Sequence, residues 1–165
     1  GNRCRQTGLH TLSLLFLAAG ATAGDQVTKW IILTRVMDPP RVIEVTSFFN
    51  LMLTFNTGVS FGMFQDFFAS RPGTLALLSF AIASLLMIWA LRSCLPGERR
   101  GLALVAGGAL GNIIDRWRQG AVTDFLDFHW QGPHWPAFNA ADVFIFLGAF
   151  LILTSTFLNG TKNKG

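Results

Sequence analysis

The chain has 165 residues, 51% of them apolar and only 13% charged, with a formal net charge of +4 and a mean hydropathy of +0.44. A soluble domain carries about 25% charged residues, so half that share leaves too little polar surface to cover a globule in water, and the composition is that of a membrane protein. A disordered chain, a collagen-like chain and a nucleic-acid binder are excluded, and the positive balance reads as cytoplasmic anchoring of helices.

A bilayer core of about 30 Å asks for about 20 consecutive apolar residues. The first candidate is Gln6 to Gly24, which holds no formal charge. Arg3 and Arg5, the apolar run Leu12 to Ala21 and the small residues Ala21-Thr22-Ala23 imitate a cleavable secretory signal. Apolar character resumes at Trp30, Ile31, Ile32 and Leu33, however, which favours a retained helix over about 9–33. On that helix Asp25 and Lys29 are four apart and share a face, which predicts an ion pair. Next comes an insert over 38–70. Its stretch Arg41 to Phe55 is rich in Val, Ile, Thr and Phe and partly alternates, before a turn at Asn56-Thr57-Gly58. This predicts a small outer β element lying at the surface or against protein, because lipid cannot satisfy an open sheet edge.

The second span, 72–92, lies between Arg71 and Arg92. The third, 101–124, is apolar only from Gly101 to Ile114 and reaches spanning length if its helix runs through Asp115 and Arg116 towards Asp124. Ala103, Gly107 and Gly111 recur every fourth residue along it, leaving a bare face that another helix can approach closely. The fourth span, 139–158, contains the nearly unbroken apolar run from Val143. Asn139 is placed to cap this helix, and Asp142 favours its positive end.

Arg3, Arg5, Arg92, Arg99, Arg100, Lys162 and Lys164 then fall on one side of the membrane, with Glu98 the only acid there. Asp25, Asp38, Glu44, Asp66, Asp115, Asp124, Asp127 and Asp142 fall on the other, together with Arg35, Arg41, Arg71, Arg116 and Arg118, so it is the acids that sharpen the orientation. Both termini are therefore expected in the cytoplasm and the acids at the outer surface. Trp30, Trp117, Trp130 and Trp135 belong near the outer headgroups and Trp89 near the inner ones.

Ionisable groups at membrane depth are costly and are functional candidates by default. The outer connection between the third and fourth helices brings Asp142 to the depth of Asp124, and two neighbouring carboxyls can share one proton. One then activates water while the other donates to a carbonyl oxygen, which is the chemistry of peptide hydrolysis. Spacing alone does not choose Asp124 over Asp115 or Asp127, although Arg116 beside Asp115 should hold that carboxylate ionised. His129 and His134 lack an HExxH pattern and a third strong ligand. Ser60 with Lys29 is a conceivable nucleophile and base that nothing in the spacing singles out. Cys4 and Cys94, far apart and without paired neighbours, give neither a disulfide framework nor a zinc pattern.

Five blocks occur in order along the chain. They are Asp25-Gln26-Val27-Thr28-Lys29, Asn56-Thr57-Gly58-Val59-Ser60-Phe61, Gly107-Gly108-Ala109-Leu110-Gly111-Asn112-Ile113-Ile114-Asp115-Arg116, Val122-Thr123-Asp124-Phe125 and Phe138-Asn139-Ala140-Ala141-Asp142. Together they resemble the lipoprotein signal peptidase family, also called signal peptidase II, over essentially the whole chain outside its tails. The resemblance implies an aspartic endopeptidase of the bacterial inner membrane. It would remove the signal peptide from a diacylglyceryl-modified prolipoprotein, cutting just before the lipid-modified cysteine. It further implies Asp124 and Asp142 as the catalytic pair, with Asp25, Lys29, Asn56, Asn112, Arg116 and Asn139 shaping or supporting the site. No metal and no organic cofactor are expected, and the partners are the prolipoprotein and membrane lipids, not nucleic acid. The resemblance also implies a β cradle and a short outer helix, here over the Phe-rich Asn56 to Phe68, with substrate arriving sideways from lipid. Val59-Ser60 and Thr123 depart slightly from the family's commoner residues without removing a catalytic group.

The fold class expected is thus an all-α membrane protein, four transmembrane helices with a small extracytoplasmic β element and a short outer helix, in a single domain. Two other function classes are a proton-coupled small-solute transporter, which would favour internal repeats that the chain lacks, and a noncatalytic scaffold using the glycine-rich helix face.

Overall fold

A computed structural model of the chain describes residues 8–58 and 71–162. Helix α1 spans Gly8–Ile31 and widens into a π-helical turn at Ile32–Val36, closed by Met37 N–H donating to Ile32 O at 2.8 Å. Pro39 and Pro40 follow directly; neither has an N–H to continue the ladder, and the residue before a proline is turned out of the helical region. Strands β1 (Ile43–Thr46) and β2 (Phe49–Asn56) form a tight hairpin. Helices α2 (Pro72–Arg92) and α3 (Pro96–Gln119) each begin on a proline, which is already set for the first helical turn. Gly120, at φ 78°, ends α3 by donating its N–H to Arg116 O at 3.0 Å, in a left-handed conformation that glycine adopts without steric cost. Strand β3 (Val122–Phe128) and helix α4 (Ala140–Lys162) complete the described chain.

The expected β element is therefore larger than the stretch Arg41 to Phe55. The three strands form an antiparallel sheet in the order β1-β2-β3, with Thr54 opposite Asp124 and Asn56 opposite Val122. Helix α3 continues through Asp115 and Arg116 but stops at Gln119, so Asp124 stands on a strand. The expected short outer helix lies beyond residue 58, outside the described residues, as does Ser60. Cys94, between α2 and α3, is disulfide-bonded, which corrects the expectation drawn from cysteine spacing, since separation along the chain does not limit approach in space.

Helix α3 is central and packs against α1, α2 and α4. The bare face lies against α1: a Cβ on Gly107 would collide with the Ala18 backbone, and one on Gly111 with the Asp25 carboxylate. A second bare face, unnoticed in the sequence, lies against α4, where Gly101 meets Gly148 O and Gly108 meets Ala141 O. Interior positions are small, such as Ala18, Ala21, Ala90, Ala103 and Ala106, while Leu77, Phe80, Leu85, Phe146, Phe150, Leu153 and Phe157 face outward. This inversion suits a solvent of hydrocarbon, in which helices gain by close approach and not by hiding apolar side chains.

Among the described residues, two helical segments, Gly73–Arg92 and Ala140–Asn159, are long and apolar enough to cross a bilayer by length and composition, at mean hydropathies of 2.2 and 2.1. Helices α1 and α3 carry the buried charges Asp25, Lys29, Asp115 and Arg116. The sheet closes over the end of α1, where Ile32, Met37 and Phe125 pack with Val36, Ile43, Leu51, Leu53 and Leu126.

Candidate active site

The polar core lies where the C-terminal halves of α1 and α3 meet β3 and the start of α4. Lys29 and Asp25, one turn apart on α1, are both buried and paired at 2.8 Å, as the spacing predicted. Lys29 Nζ is also 2.7 Å from Asp115 Oδ2 and donates to Asn112 Oδ1 at 3.0 Å, so one cation joins α1 to α3 through two carboxylates and an amide. Asp25 Oδ1 accepts the backbone N–H of Ala141 at 2.9 Å, tying α1 to the first turn of α4. Asp115 Oδ2 accepts the Thr123 N–H at 3.0 Å and thereby fixes the start of β3.

Asp115 thus makes its ion pair with Lys29 and not with its neighbour Arg116. Consecutive residues on a helix point about 100° apart, so adjacency does not bring side chains together. Arg116 instead crosses to the β2 end, where its Nη2 donates to Gly58 O at 2.6 Å. Its Nε is buried with no hydrogen-bond partner among the described residues.

Asn139 joins the two acids singled out in the sequence. Its side-chain amide donates to Asp124 Oδ1 at 2.7 Å, and its backbone N–H donates to Asp142 Oδ2 at 3.1 Å. Asp142 N–H returns a bond to Asn139 Oδ1 at 3.1 Å, so the expected helix cap exists as a reciprocal pair within the site. Asn112 Nδ2 donates to Asp142 Oδ1 at 3.3 Å, and Asn112 Oδ1 accepts from Asn139 Nδ2 at 3.1 Å. Asn56, at the end of β2, hydrogen-bonds Asp124 through its side chain and holds the Gly58 N–H on its Oδ1 at 2.8 Å.

All eight residues picked out by the motifs therefore meet in one connected cluster. Two further members carried no role in the sequence. Gln26 donates to Asp115 Oδ1 at 3.0 Å and to Gly111 O at 3.1 Å, and Thr123 offers its carbonyl to Asn139 Nδ2 at 3.3 Å. Gln26 sits inside a quoted block, but nothing in the block says that it faces α3.

On β3, beyond the end of α3, burial pushes the Asp124 carboxyl up to about 7, and the negative charge of Asp142 pushes the same way. The hydrogen bonds from Asn139 and Asn56 oppose this without cancelling it. Asp127 belongs elsewhere: it is buried, with its oxygens 2.9 and 3.0 Å from His134 Nδ1 and one accepting from Asn50 at 3.1 Å. His129 and His134 stack with ring centroids 5.0 Å apart. Beside Asp142, an apolar cleft of about 350 Å³ is walled by Trp135, Phe138, Val143 and Phe146.

Residues 17–158 match the sequence profile of a family described as signal peptidase (SPase) II. The chain is 40% identical over 153 residues to the lipoprotein signal peptidase of Aeromonas hydrophila subsp. hydrophila, covering 92% of each sequence. It is 36% identical over 159 residues to that of Serratia marcescens, covering 94% of this chain and 91% of the relative. A bacterial membrane enzyme solved by the in meso method at 2.3 Å superposes with a TM-score of 0.71 at 28% identity, over 93% of this chain and 92% of the other.

Proposed function

The chain belongs to the signal peptidase II family, and we propose that Asp124 and Asp142 are the carboxyl pair with which it removes signal peptides from prolipoproteins. It is a bacterial membrane protein and an aspartic endopeptidase. The observation that carries the assignment of the pair is Asn139, which binds one carboxyl through its side chain and the other through its backbone. With Asp124 raised to about 7 and charge-coupled to Asp142, the pair holds a single proton around neutrality.

The ionised member takes a proton from water as the oxygen attacks the scissile carbonyl, and the protonated member donates to the carbonyl oxygen. Collapse of the tetrahedral intermediate expels the amine, with the proton returned by the same pair. Asn112, Asn139 and Asn56 hold the carboxyls in position. Lys29, Asp25 and Asp115 lock α1, α3 and β3 around them. The unpartnered Nε of Arg116 suits a substrate carbonyl.

We place the substrate's diacylglyceryl chains in the bilayer, reaching the pair sideways, with cleavage just before the lipid-modified cysteine. Lipid anchoring fixes the peptide at the depth of the acids and so contributes to catalysis by orientation. Helices α1, α2, α3 and α4 then span the bilayer and carry both termini to the cytoplasm and the pair to the outer leaflet.

The test incubates the purified enzyme with a diacylglyceryl prolipoprotein and with its unlipidated twin. Size loss is expected only for the lipidated form, and none with Asp124→Asn or Asp142→Asn, each remaining folded by circular dichroism. Normal turnover by either variant sinks the assignment.

A further inference from the structure

The opposite end of the bundle holds a second polar feature that the peptidase chemistry does not use. It lies about 20 Å from Asn112 along α3, by the 1.5 Å rise of a helix. There the first turns of α1 and α3 enclose a cavity of about 490 Å³, with Leu14 and Leu17 among its apolar walls and His10, Ser13, Arg99 and Arg100 among its polar ones. No acid lines it among the described residues. Arg99 Nε and Nη2 are shielded from solvent and have no hydrogen-bond partner among the described residues. The neighbouring carboxylate does not serve them, because Glu98 accepts the Ser93 hydroxyl. Guanidinium N–H groups buried without acceptors are costly, and an anion that supplies oxygens relieves that cost.

A guanidinium fork fits two oxygens of a phosphate, and basic pockets between membrane helices bind lipid headgroups. We propose that this cavity binds an anionic phospholipid. The Arg99 guanidinium binds its phosphate, Arg100 adds a second positive charge, and an acyl chain runs over Leu14 and Leu17. The apolar wall favours a lipid over free phosphate, which would gain nothing from it. The α1 surface around the cavity is itself apolar and open, with Leu9, Leu12 and Phe16 exposed. Charge in the first turns of α3 thus does more than orient the chain; it recruits a specific lipid to the α1–α3 seam.

The full chain in a neutral detergent is titrated with phosphatidylglycerol, with phosphatidylcholine of the same acyl chains and with inorganic phosphate, following the thermal unfolding midpoint. Phosphatidylglycerol is expected to raise the midpoint saturably, and the other two to do so far less at equal concentration. Arg99→Gln should weaken the apparent affinity for phosphatidylglycerol at least tenfold, with Arg99→Lys recovering part of it and Arg100→Gln losing less. An unchanged phosphatidylglycerol response in Arg99→Gln overturns the proposal. So does an equal response to phosphatidylcholine, which would make the effect one of acyl chains, or to inorganic phosphate, which would make the ligand a free anion. Should Arg99→Gln not fold, undiminished affinity in Arg100→Gln overturns it instead. None of these readouts depends on which residues cleave the substrate.

Discussion

Asp124 is held by two amide donors yet surrounded by protein, and burial outweighs the donors, so its carboxyl titrates at about 7 instead of 3.8. The singly protonated pair is the working form, so kcat/KM should fall as pH rises through about 7, where the shared proton is lost. A kcat/KM profile flat from pH 6 to 9 would count against it. The stability consequence has a definite sign. Between about pH 4 and 7 the folded state keeps a proton on Asp124 that the unfolded chain releases, so stability falls with rising pH across that window and levels off above it. Asp124→Asn should remove most of that decline, on the order of a few kcal/mol. Lys29 presents the opposite case, a buried cation between two buried carboxylates. Lys29→Met leaves Asp25 and Asp115 without their counter-charge and should cost about 3–5 kcal/mol in chemical denaturation. A loss below 1 kcal/mol would show that the pairing is incidental. The Asp25–Lys29 pair was readable because a four-residue step on one helix is local geometry. Asp115 was not readable as its third member, since that contact depends on how α1 and α3 meet.

Among the elements, α3 carries the clearest division between what patterning reveals and what packing adds. The Ala103, Gly107, Gly111 stripe announced one close contact and found it in α1; the Gly101 and Gly108 contacts with α4 form a second seam at a different phase. Glycines on these seams are needed for approach, and those elsewhere are not. Gly107→Val should therefore destabilise by about 1–3 kcal/mol or more, because a side chain there meets the Ala18 backbone and neither helix can yield locally. Gly20→Ala, on the same α1 with open space at its Cβ, should be neutral or stabilising by up to about 1 kcal/mol. Thermal unfolding of the two variants separates the cases, and equal effects would contradict the packing. Strand β3 illustrates the reverse limitation. Its run Val122–Phe128 begins just past the helix end at Gln119, and only Gly120 signals the break. The run becomes a strand because Asp115 captures the Thr123 N–H and β2 offers an unpaired edge.

At the scale of the molecule, large apolar side chains face outward while Asp25, Lys29, Asp115, Arg116 and Asp124 are buried, and the two ends of the bundle differ in chemistry. One end gathers Asp25, Asp115, Asp124 and Asp142 around a single lysine; the other presents Arg92, Arg99 and Arg100. That asymmetry underlies the proposed orientation and is testable in cells. A reporter active only in the cytoplasm should work when fused after Gly165, and one active only outside should work when inserted at Gly132, in the exposed turn where φ is 113°. Activity of the cytoplasmic reporter at Gly132 would invert the topology.

Composition alone settled that the chain lives in lipid, because too few charges exist to cover it with water-compatible surface. Ordered motifs then marked eight residues that the fold gathers into one cluster, since each lies in a short local block whose chemistry is costly to bury without purpose. Separation in sequence could not say which acids face each other. Asp115, Asp124, Asp127 and Asp142 look alike in a string of letters, and they diverge only once α3 ends at Gly120 and β3 pairs with β2. Asp115 then turns to Lys29 and Asp127 to His134, while Asn139 gathers Asp124 with Asp142. The physical reason is that a carboxylate's role is set by its partners and its burial, and both come from contacts between elements far apart along the chain.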